Sequence, residues 1–162
     1  YIKDRLTSFF NPSLDPQGSS YQVRQSLIAI GSGGIAGRGF GQSIQKFEYL
    51  PEPISDSIFA VYAEEFGFVG SCILIALFVS FILRGYKVAS RAPDLFGLLL
   101  GTGLVSLIAA QAFLNIASML GLAPLSGLPL PFISHGGTAL LVTLGSVGII
   151  LNISKYQKAT AK

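Results

Sequence analysis

Two long runs without a charged side chain constrain this chain more than any other feature of its sequence. Residues 66–83 and residues 95–154 contain no Asp, Glu, Lys or Arg. A helix that crosses a hydrocarbon core of about 30 Å needs roughly 20 mostly apolar residues, and both runs supply them. A soluble domain carries about a quarter charged residues, whereas this chain has 12%. The sequence therefore predicts an all-α integral membrane protein.

Three membrane spans fit this pattern, and the basic residues of the short segments give their orientation. These residues are Arg84, Lys87 and Arg91 after the first span, and Lys155, Lys158 and Lys162 after the third. Because short segments rich in Lys and Arg stay in the cytoplasm, both segments are expected inside. The expected order is extracytoplasmic loop 1–56, transmembrane helix 57–83, cytoplasmic loop 84–94, transmembrane helix 95–120, extracytoplasmic loop 121–135, transmembrane helix 136–153 and cytoplasmic tail 154–162.

Charge and rare residues argue against nucleic-acid binding and against a metal site of the His and Cys type. The net charge is +3, and no cluster of Lys and Arg interleaved with aromatic residues is present, although such patches mark nucleic-acid-binding proteins. The chain has one cysteine, Cys72, and one histidine, His135, whereas zinc-type sites need several such ligands. We therefore predict neither a nucleic-acid partner nor metal-ligating residues.

A glycine-dense stretch, residues 31–41, partly fits the G-x-G-x-x-A dinucleotide-binding pattern. Such a site needs a long helix directly after the glycines, inside a β-α-β unit. Here further glycines follow, then Pro51 and Pro53, and then the first span, so the nucleotide interpretation is rejected. The pattern predicts a flexible loop whose main-chain N–H groups could meet an anion. The preceding residues 21–30 are partly amphipathic and predict a short helix at the membrane interface.

Asp56 stands where the polar outer segment meets the first span. Asp is a favoured N-cap, and Ser55-Asp56-Ser57 after Pro53 is typical of a helix start. A carboxylate at headgroup depth could also act as the general base for a hydroxyl group. The residue pattern alone favours the cap.

Four further polar side chains fall inside the predicted spans. Glu64 and Glu65 lie about two turns into the first span, where acids are rare and usually face protein or a water-filled cavity. A structural partner in the part of the protein that is missing from this chain and a substrate contact both fit them. Gln111 and Asn115 are four residues apart, so they share one face of the second helix. We expect that pair to hydrogen-bond with a neighbouring helix.

Motifs along nearly the whole chain resemble the SEDS family (shape, elongation, division and sporulation). In chain order they are Arg5-Leu-Thr-Ser-Phe9-Phe-Asn-Pro12, Gln45-Lys46-Phe-Glu-Tyr49-Leu50-Pro51-Glu52, Ser55-Asp56 with Ile58-Phe59-Ala60, Glu64-Glu65, and Leu130-Pro131-Phe132-Ile133-Ser134 with Gly136-Gly137. Within the family, the second motif is more similar to the FtsW and SpoVE branch than to RodA. Members have about ten spans, so the resemblance implies that this chain, which opens on Tyr1 without a signal peptide, is the C-terminal part of a longer protein.

The resemblance implies a peptidoglycan glycosyltransferase that polymerises lipid II on the outer side of the membrane. The family's essential acid falls on Asp56, which makes the general base the preferred interpretation of that residue. The implied substrate-binding residues are Arg5, Gln45, Lys46, Glu52, Ser134, Gly136 and Gly137. Three positions depart from the family pattern: Ser57 stands where Phe is usual, His135 where Tyr is usual, and Ser126 where Thr or Lys is common.

The resemblance also implies partners and a location. The partners are a class B penicillin-binding protein that crosslinks the new strand, other membrane proteins of the division machinery, and membrane lipid. The location is the bacterial cytoplasmic membrane, at the division septum or in spore formation. Lys46, an outer arginine or a divalent cation (Mg or Mn) would stabilise the pyrophosphate leaving group, and no other cofactor is predicted. A lipid II flippase that uses the intramembrane acids, and a non-catalytic division scaffold, are the alternatives.

Overall fold

A computed structural model of the chain describes residues 19–44 and 55–156. This part of the chain contains four helices and no strand: α1 (Ser19–Gly33), α2 (Ile58–Ala89), α3 (Leu95–Met119) and α4 (Gly137–Lys155). Helices α2, α3 and α4, with 32, 25 and 19 residues, are long and apolar enough to cross a membrane. At 1.5 Å per residue the shortest is about 28 Å long, close to the thickness of a hydrocarbon core. The prediction of an all-α membrane protein with three spanning helices is confirmed.

The connection between α2 and α3 follows directly from local chemistry. Pro93 has no N–H and restricts the residue before it, so a helix that approaches it has to end. Asp94 then caps α3, because its side chain accepts a hydrogen bond from the N–H of Gly97 at 3.3 Å. The helix α2 itself continues to Ala89, so Arg84 and Lys87 extend from its last turns. Two long antiparallel helices are therefore joined by a short polar turn.

Helix α2 is interrupted at Gly67, whose backbone has φ 68° and ψ −166°. The main-chain groups that this break frees pair with the glycine-dense segment. Arg38 N and Gly39 N donate to the carbonyls of Glu64 and Glu65, both at 3.0 Å. In return, the N–H groups of residues 68 and 69 donate to the carbonyls of residues 34 and 35, at 2.9 and 3.2 Å. These four hydrogen bonds satisfy main-chain groups at the break inside the protein, as a membrane environment demands.

The glycine-dense segment is therefore not the flexible loop that its composition predicts. It is packed so closely on α2 that a Cβ atom on Gly37 would overlap the carbonyl of Glu65, and a Cβ atom on Gly67 would overlap the main chain of Gly37. Glycine at both positions is what allows the two backbones to approach. The N–H groups of residues 37–39 are used within the fold, so they do not form the anion site that we considered.

The core lies where α1, α2 and α3 meet the loop that follows α3. Its buried residues are Phe59, Leu74, Phe78, Ala112, Ile116, Met119, Leu125 and Leu130. A second cluster, Ile82, Val105 and Ile150, joins α2, α3 and α4 near their other ends. Helix α1 packs on the first turns of α2 through the fully buried Ala29 and Ala60. The first cluster is the scaffold on which the candidate site is built.

Candidate functional site

Asp56 lies in a turn directly before α2, not at the capping position. The helical hydrogen bonds begin at the carbonyl of Ser57, which accepts from Ala60 N at 3.0 Å and Val61 N at 3.4 Å. Ser57 occupies the N-cap position, with no side-chain capping hydrogen bond. The cap interpretation of Asp56 is therefore wrong. The carbonyls of Ser55 and Asp56 precede the helix, so the helix itself does not orient them.

Asp56 is half-buried, and the environment of its carboxylate is unusual. The Oδ1 atom is buried and has no hydrogen-bond partner among the residues that the structure describes. Buried polar atoms are nearly always hydrogen-bonded in native proteins, so each exception needs an explanation, and a catalytic role is one of them. The carboxylate thus keeps its capacity to accept a hydrogen bond from a bound molecule.

Three side chains from three different elements hold the turn around Asp56. Gln22 of α1 donates from Nε2 to Ser57 Oγ at 2.9 Å. Asn115 of α3 donates from Nδ2 to the carbonyl oxygen of Asp56 at 2.8 Å. Ser134, in the loop after α3, donates from Oγ to the carbonyl oxygen of Ser55 at 2.5 Å. Each contact is to the main chain or to a neighbouring residue, so the turn is positioned while Asp56 Oδ1 has no partner within residues 19–44 and 55–156.

The loop between α3 and α4, residues 120–136, is tied to the same turn. Asn115 Nδ2 also donates to the carbonyl of Leu128 at 2.7 Å, and Gln111 Nε2 donates to the carbonyl of Pro129 at 2.9 Å. The prediction that these two amides bind a neighbouring helix is wrong, because loop and turn carbonyls, which lack helical partners, offer better acceptors. In the same loop Ser134 Oγ accepts a hydrogen bond from the N–H of Leu130 at 2.7 Å.

Phe132 shows that this loop adopts its shape against a local preference. Its φ of 67° is the one positive value at a non-glycine residue within 19–44 and 55–156, and for a bulky side chain that conformation is strained. The ring is held by α2, with centroid distances of 5.6 Å to Phe81 and 6.5 Å to Phe78. The strained residue therefore presses the loop against α2 two residues before Ser134.

An apolar cavity of about 230 Å³ opens between this loop and α2. It is lined by Leu74, Leu77, Phe78, Phe81, Phe132 and Ile133. Because Ile133 directly precedes Ser134, the cavity lies beside the residue that contacts the Asp56 turn. Its lining suits a hydrocarbon chain rather than a polar ligand.

The predicted site residues divide into three groups. Ser134 is brought to the turn that carries Asp56. Gly136 and Gly137 form the N-cap and the first residue of α4, and they follow Ser134 closely in the chain without a recorded contact to Asp56. The others, Arg5, Gln45, Lys46 and Glu52, lie outside the described residues. Within residues 19–44 and 55–156, no group of three or more His, Cys, Asp or Glu side chains could hold a metal ion.

Two contacts to the Asp56 turn were not predicted from the sequence, those of Gln22 and Asn115. Asn115 did give a signal in the sequence, because it lies inside an apolar span, where a polar side chain needs a hydrogen-bond partner. Gln22 gave no such signal, because Gln is ordinary in an exposed segment. Both contacts join residues far apart in the chain, 35 and 59 positions respectively.

Glu64 has its partners within this chain. It is fully buried, and its Oε2 atom accepts a hydrogen bond from Ser43 Oγ at 2.5 Å. Its Oε1 atom accepts from Ser32 Oγ at 3.3 Å and from the N–H of Ile44 at 3.2 Å, while Arg38 Nε lies 3.7 Å away. These contacts favour the structural interpretation of this acid, but its partners lie in this chain and not, as expected, in the missing part of the protein.

Comparison with known proteins matches this chain to one family of proteins. A family model described as a cell cycle protein, for FtsW, RodA and SpoVE, matches residues 1–159. The chain is 48% identical over 158 residues to stage V sporulation protein E of Bacillus subtilis, covering 98% of this chain and 43% of that protein. It is 45% identical over 160 residues to the probable peptidoglycan glycosyltransferase FtsW of Geobacter metallireducens, covering 99% and 43%.

A solved structure shares the fold. It is a peptidoglycan synthase complex that coordinates polymerization and crosslinking, and one of its chains superposes with a TM-score of 0.74 at 27% identity. The match covers 94% of this chain and 41% of that one, so the chain spans well under half the length of the proteins it matches. With a family model that matches almost every residue and relatives close to half identical, this chain belongs to the FtsW, RodA and SpoVE family of cell cycle proteins.

Proposed function

We propose that the complete protein carrying this chain is a peptidoglycan glycosyltransferase that polymerises lipid II during septal or spore cell-wall synthesis. The observation that carries the proposal is the carboxylate of Asp56. Three elements hold the turn around it, yet its Oδ1 atom has no partner in the described part of the chain. A relative 45% identical to this chain is named as a probable peptidoglycan glycosyltransferase.

The proposed arrangement in the membrane puts Asp56 on the outer side. Segments 1–56 and 121–135 are extracytoplasmic, segments 84–94 and 154–162 are cytoplasmic, and the spans cross between them. The Lys and Arg residues of the short segments support this orientation. Asp56 then stands at the headgroup level, where the sugars of a lipid-linked substrate lie while its tail stays in the bilayer.

In the proposed reaction, the C4 hydroxyl of an acceptor sugar attacks C1 of a lipid-linked donor sugar. Asp56 accepts the hydroxyl proton as the new C1–O bond forms. The bond from C1 to the pyrophosphate oxygen breaks, and its electron pair leaves with the lipid pyrophosphate. A well-placed general base is typically worth about 10²–10⁴ in rate.

The charge of the leaving pyrophosphate needs a counter-charge. Lys46 and Arg5 are our candidates because both are basic residues within the motifs that resemble the family, and a divalent cation, Mg or Mn, would supply the same stabilisation. Gln45, Glu52, Gly136 and Gly137 complete the proposed sugar and phosphate contacts. The apolar cavity beside Ser134 suits part of the polyprenyl tail.

The proposed partner is a class B penicillin-binding protein that crosslinks the polymerised strand. The solved complex that shares this fold is described as coordinating polymerization and crosslinking. Other membrane proteins of the division machinery and membrane lipid complete the proposed surroundings, in the bacterial cytoplasmic membrane at the septum.

A flippase would draw on acids within the membrane for its polar path. Glu64, however, is occupied by Ser32, Ser43 and the N–H of Ile44, which favours a structural role. A scaffold would not need an unpaired carboxylate in a turn held from three sides.

The test is lipid II polymerisation by the complete protein with its crosslinking partner, comparing wild type with Asp56→Asn. We expect glycan product from wild type and at least about a hundredfold less from the variant. Asp94→Asn is the matched control, because it makes the same change at an exposed carboxylate that caps α3. Normal polymerisation by Asp56→Asn would remove the general-base assignment. Folded, partner-bound wild type that makes no product would favour the flippase or the scaffold.

A further inference from the structure

The direction in which the Asp56 side chain projects depends on two peptide groups that α2 does not hold. Helical hydrogen bonding begins at the carbonyl of Ser57, so the carbonyls of Ser55 and Asp56 lie outside the ladder. Rotation of these two peptide groups would swing the carboxylate without breaking any bond of the helix. Their orientation is instead set by side chains, and the one that binds the carbonyl of Asp56 itself is Asn115.

Burial and hydrogen bonding fix the orientation of the Asn115 side-chain amide. It is 1% exposed, and its Nδ2 group donates to two carbonyl oxygens, those of Asp56 at 2.8 Å and Leu128 at 2.7 Å. An amide nitrogen has two hydrogens, so both are used. Turning the amide over would place Oδ1 against two acceptors, so the contacts define its orientation.

The remaining atom of this amide is unsatisfied. Asn115 Oδ1 is buried without a hydrogen-bond partner among the described residues, as is Asp56 Oδ1. A buried acceptor without a donor destabilises the fold. An arrangement selected for stability alone would not keep two such atoms on contacting residues, and a catalytic role is one reason for keeping them.

We propose that Asn115 is a positioning residue for Asp56 in the glycosyl-transfer reaction. It joins the carbonyl of Asp56 to the loop at Leu128, and the same loop, through Ser134, holds the carbonyl of Ser55. The two peptide groups that flank the Asp56 side chain are thus clamped to one loop. The clamp points the carboxylate at the acceptor hydroxyl, and this inference rests on the function proposed above.

Gln111 provides the contrast that separates positioning from general stabilisation. It lies one turn before Asn115 on the same helix and also donates through a side-chain amide to the loop, at the carbonyl of Pro129. No side-chain hydrogen bond joins it to the turn of residues 55–57 within the described parts of the chain. Loss of Gln111 should therefore remove one attachment of the loop to α3, while the hydrogen bonds to the carbonyls of Ser55 and Asp56 remain.

The experiment measures kcat, KM and the thermal unfolding midpoint of the complete protein with its partner. The variants are Asn115→Leu, Asn115→Asp and Gln111→Leu. Asn115→Asp keeps the shape of the side chain but removes both N–H donors. We expect each Asn115 variant to lower kcat about 10- to 100-fold, because small misplacements of a catalytic group have effects of that size. KM should stay within about threefold, since the substrate contacts are unchanged, and Gln111→Leu should keep kcat within about threefold.

Every other outcome counts against the proposal. Near-normal kcat in Asn115→Leu, an equal loss in Gln111→Leu, or a loss confined to KM would overturn it. If neither Asn115 variant folds while Gln111→Leu does, the amide is structural and the proposal also fails. Wild-type polymerisation together with an inactive Asp56→Asn variant tests the proposed function separately, so the failure of one idea is not mistaken for the failure of the other.

Discussion

Asp56 and Glu64 are two acids eight residues apart, one just before α2 and the other at the end of its second turn, and their surroundings differ sharply. Both oxygens of the Glu64 carboxylate accept hydrogen bonds, from Ser43, Ser32 and the N–H of Ile44. The carboxylate of Asp56 has a buried Oδ1 atom with no partner in the described parts of the chain. Glu64 is the more deeply buried of the two, so burial alone does not mark the functional acid. What separates them is whether the fold satisfies the carboxylate.

The difference also shows in what each neighbourhood does with its main chain. Around Glu64, the glycine-dense segment and the break at Gly67 exchange four main-chain hydrogen bonds and close the structure. Around Asp56, side chains hold the main-chain carbonyls, and no described residue donates to Asp56 Oδ1. The polar groups around Glu64 complete the fold, whereas Asp56 Oδ1 has no partner in the described parts of the chain.

The largest expected effect separates activity from stability at Asp56. Asp56→Asn should reduce polymerisation by about 10²–10⁴, yet change the free energy of unfolding by less than about 1 kcal/mol, because no side-chain hydrogen bond within the described residues is lost. Thermal unfolding in detergent, run beside the polymerisation assay, measures both. A fall in stability that matched the fall in activity would make Asp56 a structural acid like Glu64.

Glu64 should behave in the opposite way. Glu64→Ala leaves three donors without their acceptor in a buried site, and we expect it to lower the free energy of unfolding by about 3 kcal/mol. Glu64→Gln keeps one acceptor oxygen and most of the volume, so its effect should be smaller, about 1 kcal/mol. Denaturant unfolding of the folded protein measures both changes. Equal and small effects would mean that Ser32, Ser43 and Ile44 find other partners easily.

The close approach of Gly67 to Gly37 can be tested by adding a Cβ atom in the neighbourhood of Glu64. Gly67→Ala places a Cβ atom against the main chain of Gly37 at a backbone angle that L-residues disfavour, and we expect a loss of at least about 2 kcal/mol. Gly103→Ala is the matched control, because it lies in α3 with no atom within 4 Å of the added Cβ. There the higher helix propensity of Ala should leave stability unchanged or raise it by up to about 1 kcal/mol. Similar thermal unfolding midpoints for the two variants would show that the close approach of Gly67 to Gly37 is not needed for stability.

Features of the fold and of the site that depend on residues close together in the chain were predictable from the sequence, and features that depend on distant residues were not. The charge-free runs and the basic residues between them were enough for three spanning helices and for a short connection between α2 and α3, because those signals are local. The break at Gly67 was not predictable, since an apolar run with glycines is also typical of a continuous membrane helix. It forms because residues 34–39 dock on it, and no local pattern reports that. For the same reason Asp56 was recognised as a candidate, while Asn115, 59 positions away, was not linked to it.

The smallest expected effect concerns the charge beside Glu64. Arg38 Nε lies 3.7 Å from Glu64 Oε1, and the arginine side chain is 37% exposed. Solvent screens a pair of this kind, so Arg38→Gln should lower stability by less than about 0.5 kcal/mol. Arg24→Gln, at an exposed arginine of α1, sets the baseline for losing a surface charge. If Arg38→Gln destabilised the protein as much as Glu64→Ala, the ion pair and not the three hydrogen bonds would hold the Glu64 carboxylate. Charge pairing, and not hydrogen bonding, would then distinguish Glu64 from Asp56. An effect near the Arg24→Gln baseline would leave hydrogen bonding as the property that separates Glu64 from Asp56.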